Sequence, residues 1–562
     1  MSLGFPYLLS TMKNSVYYFK RPVVFLFISA AVFVFPFLGL VSGCVASEDG
    51  LNTSYDNVCE EAAKHREECT GVYITPPPCD DVAKLKAEYM LGLECDEFDE
   101  AIPDSGKADG AFCDWFGTGC TPDEEIFTGP PCSSDLDCSN GEFCVEERCF
   151  GGVTSEEFSE VLDVYTESVE SWGSYTELFV ENDEIRQFRK ELVSNAQESI
   201  HFSALIIENN ESGYEMVDLF IDAAQRGVEV RVIVDATTQY FQSDYDILSE
   251  LNDAGVKAIA FNPITEWAGV RMQAEYWGLT ANMRLHEKIL VVDGVDAVLG
   301  GRNVGDSYLS SERWRDVDIY VTGPGVSAAQ EMFLFIWNRM FEWEIASSCK
   351  SASRYGNWCP PTDKDPVWGD VYFPQQDPVT DTGTRVIHSD PYSQETANGY
   401  FTYLSLIRGA RRSIKISAAY FIPPRRLRKH LRAAAERGVE VKVVTNSKDS
   451  TDSATVYYAG LNYYKELIQS GVQIYEYDGN ELLHSKVMLI DYELGVVGSY
   501  NLDPRSAIDN SECMLLIRNS QSIPDLNEAI DEDIADSTLA SDDISVSDMI
   551  KARASRMAEP LL

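Results

Sequence analysis

The feature that most constrains the fold of this chain is an internal repeat. Four short blocks occur twice in the same order, and the paired blocks begin at Ala196 and Ala410, Ala223 and Ala434, Leu248 and Tyr464, and Leu285 and Leu483. Helix-like and strand-like segments alternate within each copy, and an Arg-Gly-Val sequence in each indicates a helix end before a buried strand. The repeat predicts an α/β fold of two tandem halves, residues 151–380 and 381–535, each a mixed β-sheet flanked by helices and related by a pseudo-two-fold axis.

The last block of each copy carries the residues with the clearest chemistry. Each contains a histidine and a lysine two positions apart, then an apolar run, an aspartate, a glycine-containing turn and an asparagine. The matching positions are His286, Lys288, Asp293 and Asn303 in the first copy and His484, Lys486, Asp491 and Asn501 in the second. Alternate residues of a strand share a face, so each histidine and lysine should project together. Each half therefore presents an imidazole, an ammonium and a carboxamide as a group.

The duplicated H-x-K-x4-D pattern, each copy followed by Gly-Gly/Ser-x-Asn, resembles the phospholipase D superfamily. The resemblance spans about Glu184 to Ile517 and excludes the cysteine-rich region that precedes it. In motif detail the chain looks most like bacterial cardiolipin synthases and related phospholipases. The segments that carry this closer resemblance are Gly300-Gly-Arg-Asn303, Trp314-Arg-Asp316, Gly323-Pro324 and Gly498-Ser-Tyr-Asn-Leu-Asp-Pro-Arg-Ser506.

The residue types suit attack on a phosphodiester. The negative charge of this group repels nucleophiles, so Lys288 and Lys486 are expected to neutralise it. Asn303 and Asn501 are expected to donate hydrogen bonds to the phosphoryl oxygens as charge moves in the transition state. Neither a metal ion nor another cofactor is needed for this chemistry.

The two histidines are expected to share one active site. One attacks phosphorus and forms a phosphohistidine, and the other protonates the leaving alcohol and then deprotonates the incoming one. The superfamily resemblance implies that His286 attacks and that His484 is the acid and base, although the sequence leaves this order open.

An acidic side chain should orient each imidazole and support its charge. By position we expect Asp316, 30 residues after His286, and Glu512, 28 residues after His484, to do so. Asp293 and Asp491 stand at the far ends of the strands that begin near each histidine, so we interpret them as structural.

The charge of the chain argues against one class of partner. The sequence contains 45 Lys and Arg against 91 Asp and Glu, a formal net charge of −46. Nucleic-acid affinity depends largely on basic side chains that contact phosphates. We therefore expect no nucleic-acid partner.

The N-terminus is typical of an exported protein. Lys20 and Arg21 precede an apolar run, Pro22 to Val41, that ends in Val41-Ser-Gly-Cys44. Residues 1–43 are predicted to be a signal peptide or a membrane anchor. The small residues before Cys44 resemble the lipobox of bacterial lipoproteins, which implies acylation of its sulfur. The expected location is the cell envelope.

The cysteines also indicate an exported protein. Ten of the 14 lie between Cys59 and Cys149, within residues 44–150, and predict a disulfide-rich N-terminal module rather than a zinc site. Cys349 and Cys359 are expected to pair locally, and Cys513 lies in an apolar strand pattern. Residues 536–562 form an acidic C-terminal tail.

These observations favour a phospholipid phosphatidyltransferase, similar to cardiolipin synthases, that acts at a membrane surface. A hydrolytic phospholipase D, in which water resolves the intermediate, is the first alternative. An exported nuclease, or a binding protein whose cysteine-rich region is the functional part, are further alternatives that the charge and the intact motifs disfavour.

Overall fold

A computed structural model gives the fold of the chain. It describes residues 138, 142–145, 148–166, 168–236, 246–261, 283–311, 313–340, 367, 369–390, 398–479 and 481–556. The predicted signal or anchor segment, Cys44 and the expected Cys349–Cys359 pair lie outside these residues.

The first half alternates strands and helices as the repeat predicts. Its elements are β3 (Ser171–Phe179), α2 (Asn182–Asn195), β4 (Ser199–Ala204), α3 (Glu211–Arg226), β5 (Glu229–Asp235), α4 (Asp246–Asp253), β6 (Lys257–Phe261), β7 (Arg284–Leu285), β8 (Ile289–Val292), β9 (Asp296–Gly300), α5 (Asp306–Leu309), β10 (Asp318–Thr322) and α6 (Val326–Arg339).

The second half repeats this order, except that it has no counterpart of the short strand β7 among the described strands. Its elements are β11 (Thr382–Ser389), α7 (Asn398–Gly409), β12 (Ser413–Ala418), α8 (Arg425–Glu436), β13 (Glu440–Asn446), α9 (Ala454–Gln469), β14 (Gln473–Tyr477), β15 (Lys486–Ile490), β16 (Leu494–Gly498), α10 (Pro504–Ile508), β17 (Asn510–Arg518) and α11 (Ser522–Ala535).

The Arg-Gly-Val junctions end helices as predicted. Gly227 and Gly438 adopt positive φ angles of 96° and 94°, which a residue without a Cβ reaches without strain. The next residue in each copy then donates its backbone N–H to a carbonyl of the last helical turn, Val228 to Ala223 and Val439 to Ala434, at 3.1 Å in both. The chain turns from helix into buried strand at equivalent places.

The strands form one large mixed sheet rather than two separate ones. With the C-terminal strand β18 (Ser537–Leu539) at one edge, their order is β18-β14-β13-β12-β15-β16-β17-β11-β3-β10-β9-β8-β4-β5-β6, with β7 beside β17. Three strands in each half run parallel, β4-β5-β6 and β12-β13-β14. The other neighbours in this order pair antiparallel, whereas β7 pairs in parallel with β17. The halves join because β3 and β11 pair antiparallel, with Ser174 opposite Thr382. Each strand of the first half and its repeat counterpart in the second half lie the same number of strands away from this junction.

A shared hydrophobic core also joins the halves. Ile289 and Val291 of β8 pack in one cluster with Val487 and Leu489 of β15, together with apolar residues of α6 and α11. The alternate residues of β8 face the opposite side, towards the helices α2, α3 and α4. Because side chains alternate along a strand, every second residue of β8 faces the shared core and the residues between them face the other side of the sheet.

The end of the cysteine-rich region forms a small hairpin. Strands β1 (Glu142–Val145) and β2 (Arg148–Gly151) pair antiparallel, and a disulfide joins Cys138 to Cys149. The following helix α1 (Glu156–Thr166) packs against the second half rather than the first, since Phe158 and Leu162 lie in the same hydrophobic cluster as α7 and α8. Cys513 is a free, buried thiol in β17.

The acidic segment after residue 535 is folded along most of its described length. Strand β18 (Ser537–Leu539) pairs with β14, and helix α12 (Val546–Ser555) lies against α9. Asn462 of α9 donates its side-chain N–H to the Ala552 carbonyl at 2.7 Å. Of the helices in the described part of the chain, none combines the length and apolar character needed to cross a membrane.

Candidate active site

The backbone before each catalytic-motif histidine is held by the opposite half. His286 donates its N–H to the Ser511 carbonyl at 2.9 Å, and the preceding strand β7 pairs in parallel with the start of β17. His484 donates its N–H to the Arg315 carbonyl at 2.6 Å. Residue 511 precedes Glu512 and residue 315 precedes Asp316. Each of these backbone hydrogen bonds therefore brings an acidic residue of one half beside a histidine of the other.

The acidic partners predicted from the sequence are both present, but they are exchanged between the halves. His286 Nδ1 lies 2.9 Å from each carboxylate oxygen of Glu512. His484 Nδ1 lies 2.5 Å from Asp316 Oδ2. The expectation that each acid serves the histidine of its own half is therefore wrong. The cause is the pairing of chain segments across the halves, which sequence separation does not reveal.

Glu512 is surrounded by donors. Ser506 Oγ donates to Oε1 at 2.7 Å, Asn510 Nδ2 donates to the same oxygen at 3.1 Å, and Ser499 Oγ donates to Oε2. Burial raises the pKa of Glu512 to about 7, although Lys288 and these donors act in the opposite direction. The carboxylate is thus fixed in position while its negative charge is only partly stabilised.

Asp316 is held differently. Burial acts to raise its pKa, but the charge of Lys486 and the hydrogen bond from His484 outweigh it, so that the pKa of Asp316 lies below its usual value. The chain passes very close to this carboxylate: a Cβ added to Gly301 would lie 2.1 Å from Asp316 Oδ1. Ser499, the counterpart of Gly301 in the second half, instead uses its hydroxyl to bind Glu512. Asp316 is the more firmly ionised of the two acids.

Both lysines are buried beside the histidines. Burial lowers the pKa of Lys288 to about 7 and that of Lys486 to about 8. The ammonium of Lys486 lies 2.9 Å from His484 Nδ1, and each lysine also donates to the backbone carbonyl of the histidine two residues before it. The lysines are therefore positive charges that a bound anion would stabilise.

The histidines are neutral at rest. Burial and then the charge of Lys486 lower the pKa of His484 to about 3, and burial followed by both lysines lowers the pKa of His286 well below its usual value. Lys288 of the first half helps to lower the pKa of His484, and Lys486 of the second half helps to lower the pKa of His286. The charges of both halves therefore act on both rings. An ionised carboxylate only accepts hydrogen bonds, so Nδ1 of His484 carries the proton and its Nε2 keeps a lone pair.

The two asparagines occupy related positions but are held differently. Asn303 Oδ1 accepts the Ile206 backbone N–H at 3.2 Å, and its side chain also bonds to Tyr308. Asn501 donates its backbone N–H to Ser506 at 3.2 Å, while its buried Oδ1 has no hydrogen-bond partner among the described residues. In both, burial restricts the carboxamide.

Comparison with known proteins matches these two motif regions to one family. The family described as "Cardiolipin synthase, PLD-like domain" matches residues 190–337 and 403–534, which contain both H-x-K motifs, both asparagines and both acids. The chain belongs to the phospholipase D superfamily.

Curated relatives in this superfamily are cardiolipin synthases. Cardiolipin synthase 2 of Bacillus anthracis is 31% identical over 374 residues, 66% of this chain and 66% of the relative. The major cardiolipin synthase of Bacillus subtilis strain 168 is 31% identical over 349 residues, 61% of this chain and 65% of the relative. The match thus spans just under two thirds of these relatives' lengths.

A solved structure supports the fold of this phospholipase D superfamily member. Phosphatidylserine synthase from Haemophilus influenzae Rd KW20 aligns with a TM-score of 0.54 at 14% identity. The alignment covers 72% of this chain and 99% of that one. At this identity the likeness concerns the fold alone.

Asp293 and Asp491, the aspartates that complete the superfamily motif, lie away from the histidines. Both adopt positive φ angles, 54° and 55°, at the turn that ends their strands. The carboxylate of Asp293 accepts backbone N–H groups of residues 197–199, and that of Asp491 accepts those of residues 411–413. Each ties a turn to the start of the neighbouring strand, which is the structural role expected from the sequence.

Two residues that support the histidines were not predicted. Asp235, at the end of β5, accepts the Leu285 N–H at 2.8 Å, and Asn446, at the end of β13, accepts the Leu483 N–H at 3.0 Å. Both hold the residue immediately before a histidine. Their equivalent places in the two repeats were a signal that could have identified them.

Aromatic side chains of the first half enclose His484. The rings of Tyr308 and Trp314 each lie 5.4 Å from the His484 ring, centre to centre. Trp314 stands in the quoted Trp-Arg-Asp motif, but the sequence does not show that its ring reaches the second half. Within the described part of the chain, no group of three or more histidine, cysteine or acidic side chains is placed to hold a metal ion. The independence from metal stays a prediction.

We expect kcat/KM to fall as pH rises through about 7 to 8, because Lys288 and Lys486 lose their charge there. A lysine is cationic below its pKa, so only the low-pH form neutralises a phosphodiester. Across this range the slope of log kcat/KM against pH should become more negative by about 2 in the wild type and by about 1 after Lys288→Arg or Lys486→Arg, since arginine stays charged. Exposed Lys448→Arg is the matched control. A wild-type profile that stays flat to high pH would contradict this assignment.

Proposed function

We propose that this protein is a phospholipid phosphatidyltransferase, similar to cardiolipin synthases, that acts through a phosphohistidine. The observation that carries the proposal is the crossed arrangement of the site. Each motif histidine bonds through Nδ1 to an acid of the opposite half, and the charges of both lysines act on both rings. This arrangement supports a single substrate position shared by the two motifs.

The first chemical step forms a phosphorus–nitrogen bond. Lys288 and Lys486 neutralise the phosphodiester, and Nε2 of one histidine donates its lone pair to phosphorus as the bond from phosphorus to the leaving oxygen breaks. The other histidine gives its Nε2 proton to that oxygen, so the headgroup leaves as a neutral alcohol. The phosphatidyl group stays on the first histidine.

The second step reverses the first with a new alcohol. The acceptor oxygen attacks phosphorus while its proton passes to the acid–base histidine, and the phosphorus–nitrogen bond breaks with its electron pair returning to the imidazole. If water takes the place of the alcohol, the product is phosphatidic acid and the enzyme is a hydrolytic phospholipase D. The site chemistry is common to both outcomes.

The two acids favour His286 as nucleophile and His484 as acid and base. A general acid is an imidazolium, and the ionised carboxylate of Asp316 stabilises that charge better than Glu512, whose pKa is raised to about 7. In the free site burial keeps His484 neutral. The negative charge of a bound phosphodiester offsets the lysines, and we expect it to raise the pKa of His484 towards the value that acid catalysis needs.

The product of the purified protein tests this function. We expect vesicles of phosphatidylglycerol to yield cardiolipin and free glycerol, identified by mass, with little phosphatidic acid. Phosphatidic acid as the main product would instead establish the hydrolytic activity. Vesicles left unchanged, together with cleavage of single-stranded DNA by the same preparation, would contradict the proposal and favour the nuclease alternative, which the net charge of −46 disfavours.

The finer architecture that we infer rests on the repeat. The equal placing of counterpart strands about the β3–β11 junction supports a pseudo-two-fold axis between the halves. The Cys138–Cys149 bond supports a disulfide-stapled module before the first half.

We also propose that the protein is exported and held at the membrane surface of the cell envelope through acylated Cys44. The basis is the apolar segment that ends in Val41-Ser-Gly-Cys44. We expect Cys44→Ser to move the protein from the membrane to the soluble fraction, as measured by immunoblotting after fractionation. Unchanged membrane retention would favour an uncleaved anchor within residues 1–43.

A further inference from the structure

A carboxylate and two phenols lie beside the His484 end of the site without a part in the mechanism above. Tyr420, just after β12, donates its hydroxyl to both carboxylate oxygens of Asp452, at 2.9 Å and 3.0 Å. Asp452 precedes α9, and Tyr308 is the residue whose ring packs on His484. We call Asp452, Tyr420 and Tyr308 the hydroxyl cluster.

The cluster lies beside the second histidine motif in the fold. Ala419, the residue before Tyr420, donates its backbone N–H to the carbonyl of Ser485, the residue after His484, at 2.8 Å.

The charges of the cluster and of the catalytic site also act on each other. The positive charge of Lys486 acts on the Asp452 carboxyl, and the Asp452 charge in turn acts on the Lys486 ammonium. The negative charge of Asp452 also acts to raise the pKa of Tyr308, whose side chain bonds to that of Asn303. Together with the Ala419–Ser485 bond and the ring contact of Tyr308, these charges place the cluster next to the His484 end of the site.

The cluster is also open to solvent. Asp452 is exposed to solvent, yet burial by the surrounding protein raises the pKa of its carboxyl and raises that of the Tyr420 hydroxyl well above its usual value. A ligand that approaches from solvent would therefore meet the carboxylate directly.

The chemistry of the cluster selects its ligand. A carboxylate repels a phosphate, so Asp452 is unsuited to the anionic part of the substrate, which the two lysines attract. Carboxylate and phenol oxygens instead accept hydrogen bonds from alcohol hydroxyls, and a charged acceptor makes such bonds stronger than a neutral one does.

We propose that the hydroxyl cluster binds a second hydroxyl group of a polyol alcohol, and so positions a neighbouring hydroxyl for deprotonation by His484. The inference rests on the proposed phosphatidyl transfer and deepens it by naming the acceptor class and the residues that select it. Asp452 accepts one hydroxyl of the polyol. The adjacent hydroxyl oxygen attacks phosphorus, its proton passes to His484, and the phosphorus–nitrogen bond breaks.

This arrangement favours polyols over alcohols with one hydroxyl and over water. A simple alcohol cannot bond to Asp452 and attack phosphorus through different oxygens. A hydrogen bond to a charged group contributes about 1.5–3 kcal/mol, which corresponds to roughly a 10- to 100-fold preference. The preference should appear as a ratio of products and is independent of how much of the enzyme is active.

The experiment offers two acceptors of equal carbon number in one reaction. The full-length protein is incubated with phosphatidylethanolamine vesicles in equal concentrations of glycerol and 1-propanol, and the lipid products are quantified by mass. We expect the wild type to form phosphatidylglycerol over phosphatidylpropanol by roughly 10- to 100-fold. In Asp452→Ala this ratio should fall to within about threefold of unity, and the share of phosphatidic acid should rise.

Two further variants refine the test. Tyr420→Phe keeps the ring but removes the hydroxyl that holds Asp452, so the glycerol preference should fall by about three- to tenfold. Asp449→Ala, an exposed carboxylate three residues away, is the matched control and should keep the wild-type ratio. Thermal unfolding of each variant shows that the fold is retained.

The outcomes separate this inference from the function on which it rests. A wild type that makes both phosphatidylalcohols without preferring glycerol, or an Asp452→Ala protein that keeps the preference, would overturn the hydroxyl cluster and leave phosphatidyl transfer standing. A wild type that forms neither phosphatidylalcohols nor phosphatidic acid would overturn both.

Discussion

Replacement of His286 or His484 by alanine should lower kcat on a phospholipid by about 10⁴-fold or more, because each removes a group that no neighbour can replace. The two variants should nevertheless fail at different steps. His286→Ala should form no covalent intermediate, whereas His484→Ala should lack the proton for the leaving alcohol.

A substrate with an activated leaving group distinguishes these failures. A phosphodiester of p-nitrophenol departs without protonation, so His484→Ala should release a burst of p-nitrophenol and accumulate a phosphohistidine that acid quenching and mass measurement detect. His286→Ala should show neither. If the roles of the histidines are reversed, the two variants exchange their behaviour.

The control is His430→Asn, which changes a buried histidine of α8 that stands outside the catalytic motifs. It should keep turnover close to that of the wild type once the folded fraction is taken into account. Substantial phospholipid turnover by either His286→Ala or His484→Ala would contradict a site shared by the two motifs.

The second large effect concerns the crossed acids. Asp316→Asn and Glu512→Gln should each lower kcat by about 10²- to 10⁴-fold, because an amide neither fixes the imidazole tautomer nor stabilises its positive charge. Both substitutions preserve side-chain size, which limits disturbance of the tightly packed site.

The pattern of rescue tests which acid serves which ring. Asp316 contacts His484, so the p-nitrophenyl substrate should restore the burst in Asp316→Asn as it does in His484→Ala. Glu512 contacts His286, so Glu512→Gln should resemble His286→Ala and show no rescue. The comparison holds whichever histidine attacks.

The opposite pattern would show that each acid acts on the histidine of its own half in solution. Asp531→Asn, on an acidic side chain that bonds to Lys415 away from the site, is a suitable control and should leave both substrates unaffected. Burst amplitudes measured by stopped-flow absorbance decide between the two patterns.

Much of the fold could be predicted from the repeat, because a duplicated run of amino acids folds under the same local forces twice. The Arg-Gly-Val junctions end both helices with left-handed glycines, and the apolar runs after Lys288 and Lys486 form buried strands. The continuous sheet could not be predicted. It depends on the pairing of β3 with β11, and the sequences of these two strands do not show that they lie side by side.

By itself, the sequence determined the fold class, the two motifs and the identity of both acids, since each depends on residue type and short spacing. Only the tertiary structure decided that Glu512 serves His286 and Asp316 serves His484, over sequence separations of 226 and 168 residues. It also brought Tyr420, which bonds to Asp452, next to the second motif, where Ala419 bonds to Ser485. Contacts over such separations depend on how whole strands pack against each other, so a local pattern of residues cannot predict which acid contacts which histidine.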